Sequence, residues 1–388
     1  MSGSSNPDAP AAAPDNTLTL LVGGKKLTGW QSIRVTRGLE HMPGVFDLSV
    51  TEREPNQTLV VIPGDACVVS IDADPILTGW IDRYAGSIAP GEHTITITGR
   101  GKCQDLVDCA AVYAGSQIVA GSVLQLASDL AKPYGITVTG EAGPPVPQFN
   151  LNLGETPWEI IDRVSRYAAL LPYEGTDGNL VLAKLGASKH SSGFAQGENI
   201  QTANIAYTMD QRFSEYVSAF MSVDRLAELG TDPSKLPKAF DKGVKRFRRR
   251  VIISEQVDNN GVSVAKLRAE WEMARRFGRS QVLIVVCDAW RDSAGALWEP
   301  NKLARVDVPA LKLEPTDWLI SEVTYMRDAR AGTTARVVLM PAEAFTPEPI
   351  ILNPFSADLN RGIQEGNAGA AASASAAPIV RGPTPGAA

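Results

Sequence analysis

From Thr17 to Arg100 apolar and polar residues alternate in short runs that Gly and Pro interrupt, and only strands satisfy that pattern over such a length. The runs are T-L-T-L-L-V from Thr17, S-I-R-V-T from Ser32, F-D-L-S-V-T-E from Phe46, C-V-V-S-I-D from Cys67, and the pair P-I-L-T-G-W-I-D-R-Y and H-T-I-T-I-T-G-R. Gly23-Gly24 and Pro63-Gly64 mark turns between them. Short strands at this spacing predict an antiparallel sandwich or barrel.

Around Gly101 the texture becomes helical. Ser122-Val-Leu-Gln125 and Thr156-Pro-Trp-Glu159 fit the capping box, and Pro157 stands at the first helical position, where its missing N–H costs nothing. Trp158, Ile161, Val164 and Ala168 fall on one face until Pro172, and a hairpin with a Gly175–Gly178 turn follows. Strand pattern returns at Ala203–Tyr207 and Ser214–Val223 and resumes at Gln281. Between them lie the run Lys245-Arg-Phe-Arg-Arg-Arg250 and a helix over Val264–Phe277, with Leu267, Trp271 and Ala274 on its expected packing face and Gly278 as its stop.

The expected organisation is mainly β with α+β insertions. A flexible arm covers 1–16, a first β-barrel 17–101 and an inserted α+β domain 102–190. A second β-barrel takes 191–225 and 280–345, an inserted basic and helical domain 226–279, and a low-complexity tail 346–388. At roughly 100–200 residues per domain the 388 residues suit such a division.

Several function classes are disfavoured. The net charge of −6 argues against a general phosphate-binding surface, which needs an excess of Lys and Arg to displace counterions. No run approaches the roughly 20 apolar residues of a membrane helix, and the first residues lack a secretory signal's basic and apolar regions, so no stable membrane insertion is expected. Cys67, Cys103, Cys109 and Cys287 lack the paired spacing of zinc sites and read as buried thiols. His41, His93 and His190 stand in no catalytic motif, and no catalytic, metal or cofactor site is expected. The pairs Asp72/Asp74 and Glu52/Glu54 lie beside turns without a glycosidase motif. The seven tryptophans read as core or interface residues.

An internal repeat is visible. Leu77–Tyr84 followed by Gly91–Thr98 is echoed by Trp318–Tyr325 followed by Gly332–Leu339, and each pair comes after a valine-rich strand, Cys67–Ile71 or Ala304–Val308. Two similar barrels in one chain would let a three-fold assembly present six around an axis.

Taken in order, Gly38–Leu48, Ile62-Pro-Gly-Asp65, Leu77–Asp82, Gly154–Trp158 and Leu297-Trp-Glu-Pro300 resemble the Mu-like phage baseplate hub family, over about Thr17 to Phe345. That family is related to the N-terminal hub domains of type VI secretion spike proteins. The resemblance implies a C3 homotrimer with a pseudo-six-fold barrel ring and a central channel. It further implies that the ring joins the six-fold tail tube to the trimeric central spike in the virion baseplate, beside other baseplate proteins and possible tape-measure protein and DNA in the channel. Assembly would take place in the host cytoplasm. The chain carries no long β-helical spike segment, so a phage hub with a separate spike is expected over a type VI-like or tailocin spike.

The family brings no catalytic residues, and a structural protein rather than an enzyme is expected. Lys245, Arg246, Arg248, Arg249 and Arg250 are the candidate channel or partner contacts, as the one basic cluster in an acidic chain. The rivals are a tail-associated cell-wall or polysaccharide hydrolase and a nucleic-acid binder acting through the basic run.

Overall fold

The computed structural model describes residues 16–51, 61–113, 117–118, 121–146, 149–220, 236–254 and 262–350. The N-terminal arm up to residue 15 and the tail from residue 351 lie outside the described residues, as do Glu52 and Glu54.

Seven strands form the first block: β1 (Leu18–Val22), β2 (Lys25–Leu27), β3 (Ser32–Gly38), β4 (Val45–Thr51), β5 (Ala66–Ile71), β6 (Asp74–Ala89) and β7 (Glu92–Gly101). The α+β unit follows, with short strands β8 (Gln117–Ile118) and β9 (Gly121–Ser122), then β10 (Val138–Gly140), β11 (Pro145–Val146), β12 (Phe149–Asn150), β13 (Leu171–Glu174) and β14 (Leu180–Ala183). Its two longer helices begin where the caps predict. Ser122 Oγ accepts from Gln125 N–H ahead of the Val123–Ala131 helix, and Thr156 and Glu159 close a reciprocal capping box on the Pro157–Tyr167 helix. Ile160, Ile161 and Val164 of that helix are fully buried against Leu126, Leu130, Leu180 and Leu182.

The chain then returns through β15 (Ser188–Lys189), β16 (Phe194–Ala195) and β17 (Ile200–Tyr207). A separate three-stranded sheet is made by β18 (Glu215–Phe220), β19 (Lys238–Phe240) and β20 (Arg249–Ser254), and is backed by the helix Val262–Arg279. Last come β21 (Gln281–Cys287), β22 (Lys302–Val308), β23 (Leu313–Asp328) and β24 (Gly332–Met340).

Both strand-rich regions belong to one 14-stranded sheet, in the order β17-β21-β24-β23-β3-β4-β7-β6-β5-β1-β2, with β22 and its partners β15 and β16 branching from β23. The two halves join where β23 pairs antiparallel with β3, Tyr325 opposite Val35. Around that seam Thr36 Oγ1 lies 3.1 Å from Thr324 Oγ1, and Arg291 reaches Asp74 at 2.6 Å and Asp72 at 3.2 Å. One apolar core follows the sheet through both halves, from Leu18 and Leu48 to Trp290, Tyr325 and Leu339. Among the described strands no pairing closes either half on itself.

The repeat is real, but its register differs from the one read in the sequence. β6 and β23 are both 16 residues long, and each carries one irregularity, between Ile81 and Arg83 in one and between Ile320 and Glu322 in the other. Aligning these bulges places Tyr84 on Val323, two residues from the Tyr84–Tyr325 match that sequence suggested. A shift of two keeps every side chain on its face, so alternation could not reveal it.

The Val262–Arg279 helix also departs from expectation. Leu267 is half exposed, and the helix instead buries Ala265 and Ala269, the latter in one cluster with Tyr216 and Ala239. Gly278 does not stop the helix. A Cβ there would come within 2.3 Å of Ala344 N, so glycine lets the Ala342–Phe345 turn cross the helix closely.

Candidate functional site

The structure sends the members of the basic run in different directions. Lys245 and Arg246 are exposed ahead of β20. Arg248 donates to the Met209 and Asp210 carbonyls and lies 4.7 Å over the Phe213 ring. Arg249 pairs with Glu215 and holds that carboxyl below the usual range against the effect of burial. Arg250 donates to Glu272 at 2.9 Å, and Glu272 also receives Arg276 at 2.7 Å. Three of the five candidate cations are thus engaged by local carboxylates or carbonyls, and the free outward charge falls to Lys245 and Arg246.

The same segment carries a feature that charge counting missed. Register puts Phe240, Glu215, Arg249, Val251 and Ile253 on the face of the β18–β20 sheet away from the helix. Phe240, Val251 and Ile253 are each more than half exposed, and Phe247 is three-quarters exposed beside them. An apolar face rimmed by Lys and Arg suits contact with protein better than with a phosphate backbone, which draws on unpaired cations. The apolar run Val251-Ile-Ile253 directly after the arginines was the available signal.

His190 and Asp292 form the arrangement closest to catalytic chemistry. Their side chains are almost wholly buried, with Nδ1 3.0 Å from the carboxylate, but Nε2 accepts the Glu299 backbone N–H at 3.2 Å. The proton therefore sits on Nδ1, and neither nitrogen is left to take one from a hydroxyl. Burial raises the Asp292 pKa, but hydrogen bonds from His190, Ser191 and Ala296 outweigh it and hold the carboxyl below its ordinary value. The ring packs edge-on against Trp298 at 4.8 Å, a geometry that fixes the loop around Trp298. Asp72 and Asp74 both pair with the Arg291 guanidinium.

Among the described residues no cluster of three His, Cys, Asp or Glu could hold a metal ion. Burial pushes the Cys67 thiol up to about 12 and Cys287 up to about 11, far from the thiolate a nucleophile needs. No described helix is long and apolar enough to cross a membrane.

A buried carboxylate that sequence did not single out ties the α+β unit to the first block. Glu174, at the end of β13, accepts the Gly44 and Cys103 N–H groups, each at 2.8 Å. Burial raises its pKa against the pull of those two donors. Glu174→Gln keeps the shape but turns an NH2 toward one of the amides. The expected loss is about 1–3 kcal/mol, read as a lower urea midpoint at unchanged slope.

Comparison with known proteins agrees with this scaffold. Residues 17–101 match the N-terminal domain of Mu phage baseplate assembly protein GpP-like proteins, residues 103–184 the second domain of gp44-like baseplate hub proteins, and residues 261–348 the fourth domain of GpP. The baseplate hub protein gp44 of Escherichia phage Mu is 33% identical over 341 residues, covering 85% of this chain and 89% of that protein. A 43 kDa tail protein of prophage MuSo2 from Shewanella oneidensis superposes with a TM-score of 0.77 at 28% identity, over 87% of this chain and 100% of that one. An E. coli type VI secretion component, c3393, shares the fold alone, with a TM-score of 0.55 at 10% identity, over 86% of this chain and 80% of that one. A mainly antiparallel two-part sheet with this likeness defines a structural component of phage tails. The chain belongs to the Mu-like phage baseplate hub protein family.

Proposed function

We propose that three copies of the chain close into a hollow ring that joins the six-fold tail tube to the three-fold central spike, acting by shape and not by catalysis. The observation that carries this reading is the doubled four-stranded block. β3-β4-β7-β6 and β17-β21-β24-β23 follow the same order of equivalent strands and are joined edge to edge within one sheet. One chain thereby presents two similar units side by side, and three chains present six. In this reading each block curls into a tube-like barrel over its share of the core, with the α+β unit and the β18–β20 sheet as peripheral insertions. The exposed face around Phe240, Val251 and Ile253, with Lys245 and Arg246, is offered to neighbouring baseplate proteins. The ring is assembled in the host cytoplasm, stays in the virion, and leaves its channel to tape-measure protein and DNA.

Light scattering on the purified 41.4 kDa chain should give three times that mass. Obligate interfaces bury about 2,000 Å² or more, so the trimer should persist at micromolar concentration. A clean monomer there overturns the reading. Incubated with cell-wall material, the protein should release no fragments, and release would favour a hydrolase instead.

A further inference from the structure

The three-stranded sheet has one protected edge and one open edge. At the first, β19 is three residues long and begins with Lys238, which pairs with Glu215, so it is short and charged as guarded edges are. At the other, β20 is bonded to β18 on one side and to no described strand on the other. From Val251 to its end at Ser254 it holds neither charge nor proline. Arg249 and Arg250, which would ordinarily guard such an edge, are drawn onto Glu215 and Glu272.

The two sides of β20 are unequally satisfied. Toward the helix, Arg250 is paired and Ile252 packs in one cluster with Phe213 and Met273. Outward, Phe247, Arg249, Val251 and Ile253 stand at every second residue, and Arg249 lies 5.4 Å over the Phe247 ring, as a shared side requires. Phe247 is 75% exposed and Ile253 59%. The loop that leads from β19 into β20 carries Lys242, Lys245 and Arg246. All three are exposed, and none pairs with a carboxylate among the described residues.

These features together set the occupant of the edge. A strand that adds along β20 satisfies its open backbone groups and lays alternate side chains beside Val251 and Ile253. Three unpaired cations in the loop before β20 call for that strand to be acidic. A second copy of this chain is disfavoured, since an isologous contact would set the same cations against one another. A nucleic-acid backbone would use the cations and leave the apolar row uncovered. We infer that β20 receives an extended acidic segment of another baseplate protein, with carboxylates toward Lys245 and Arg246 and apolar side chains along Val251 and Ile253. This rests on the reading of that face as a contact for neighbouring proteins, and it gives the contact its chemistry. The chain as a whole has a net charge of −6, so an acidic partner is repelled elsewhere and steered to this edge.

The test is selection on the full chain from a displayed library of random peptides of about twelve residues, enough to span a strand. Selected peptides are then titrated by fluorescence anisotropy and followed by backbone hydrogen exchange. Enriched peptides should alternate Asp or Glu with apolar residues, and binding should slow exchange at the β20 amides that do not bond to β18. Proline at the centre of such a peptide should abolish binding, because it cannot donate to the ladder. K245E/R246E changes two exposed side chains and should weaken binding about tenfold or more at low salt. V251T/I253T should weaken it with little change in salt dependence, and circular dichroism checks that both variants fold. Enrichment of basic or non-alternating peptides, or binding that leaves β20 exchange unchanged, overturns the acidic strand and leaves a partner contact on this face. Enrichment of nothing overturns both. Duplex DNA bound as tightly as a selected peptide, with the same loss in K245E/R246E, assigns the edge to nucleic acid and overturns the inference. The mass by light scattering is read independently, so none of these results decides the ring.

Discussion

Tyr325→Ala should remove about 3–5 kcal/mol of stability, the cost of emptying a fully buried aromatic site. The ring packs edge-on against Trp290 at 6.1 Å, and the backbone lies opposite Val35 in the seam between the two halves of the sheet. Its hydroxyl donates to the Trp298 carbonyl, and burial pushes its pKa well above the ordinary tyrosine value, so it stays a donor throughout the accessible range. Tyr325→Phe keeps the volume and orphans that carbonyl, and should cost about 1–2 kcal/mol. The ratio between the two variants, measured by urea midpoints, separates packing from hydrogen bonding at the seam. Equal losses would mean that the hydroxyl, not the ring, holds the halves together. Because the seam sets the two blocks of the proposed ring side by side, Tyr325→Ala should lower the trimer fraction at a given concentration even where the chain remains folded.

How much of this was legible in the sequence depends on the range of the signal. Caps act over three or four residues, and the two longer helices of the α+β unit start at the residues that Ser122 and Thr156 dictate. Alternation acts over single strands, and it marked β3, β4, β5 and β7 within a residue or two but ended β6 at Tyr84, five residues short. It carries no information about which edges meet. That the two halves share one sheet through β3 and β23 was therefore invisible, although the repeat hinted at paired units. The bulges at Asp82 and Ser321 were equally hidden, since the phase break each makes falls in Gly79-Trp-Ile-Asp82 and Leu319-Ile-Ser-Glu322, where polarity does not alternate strictly. The basic run shows a third limit. Its charge was plain, but its partners Glu215, Glu272 and the Met209 and Asp210 carbonyls come from elsewhere in the chain. What a sequence presents as a cationic patch becomes, once folded, a set of short ion pairs with an apolar strand face beside it.

Glycine meanings were the least legible of all, and Gly101→Ala should be strongly destabilising. It faces Gly79 across β6 and β7, and a Cβ on Gly101 would sit 2.0 Å from a carboxylate oxygen of Glu174. Backbone conformation does not demand glycine here; the space reserved for the carboxylate does. Gly101→Ala must either displace Glu174 or push β7 away from the α+β unit. Overpacking costs about 1–3 kcal/mol. Displacing the carboxylate adds about 1–3 kcal/mol for each of the Gly44 and Cys103 amides it leaves without a partner. The substitution is therefore expected to be severe, because it takes away hydrogen-bond partners as well as space. The two residues act through one contact, so their effects should not add. In the double variant G101A/E174A the amides are orphaned once and the steric conflict is gone, leaving a loss smaller than the sum of the singles by about 0.5–3 kcal/mol. Additive losses in denaturant unfolding would show that Gly101 is constrained by something other than the Glu174 carboxylate.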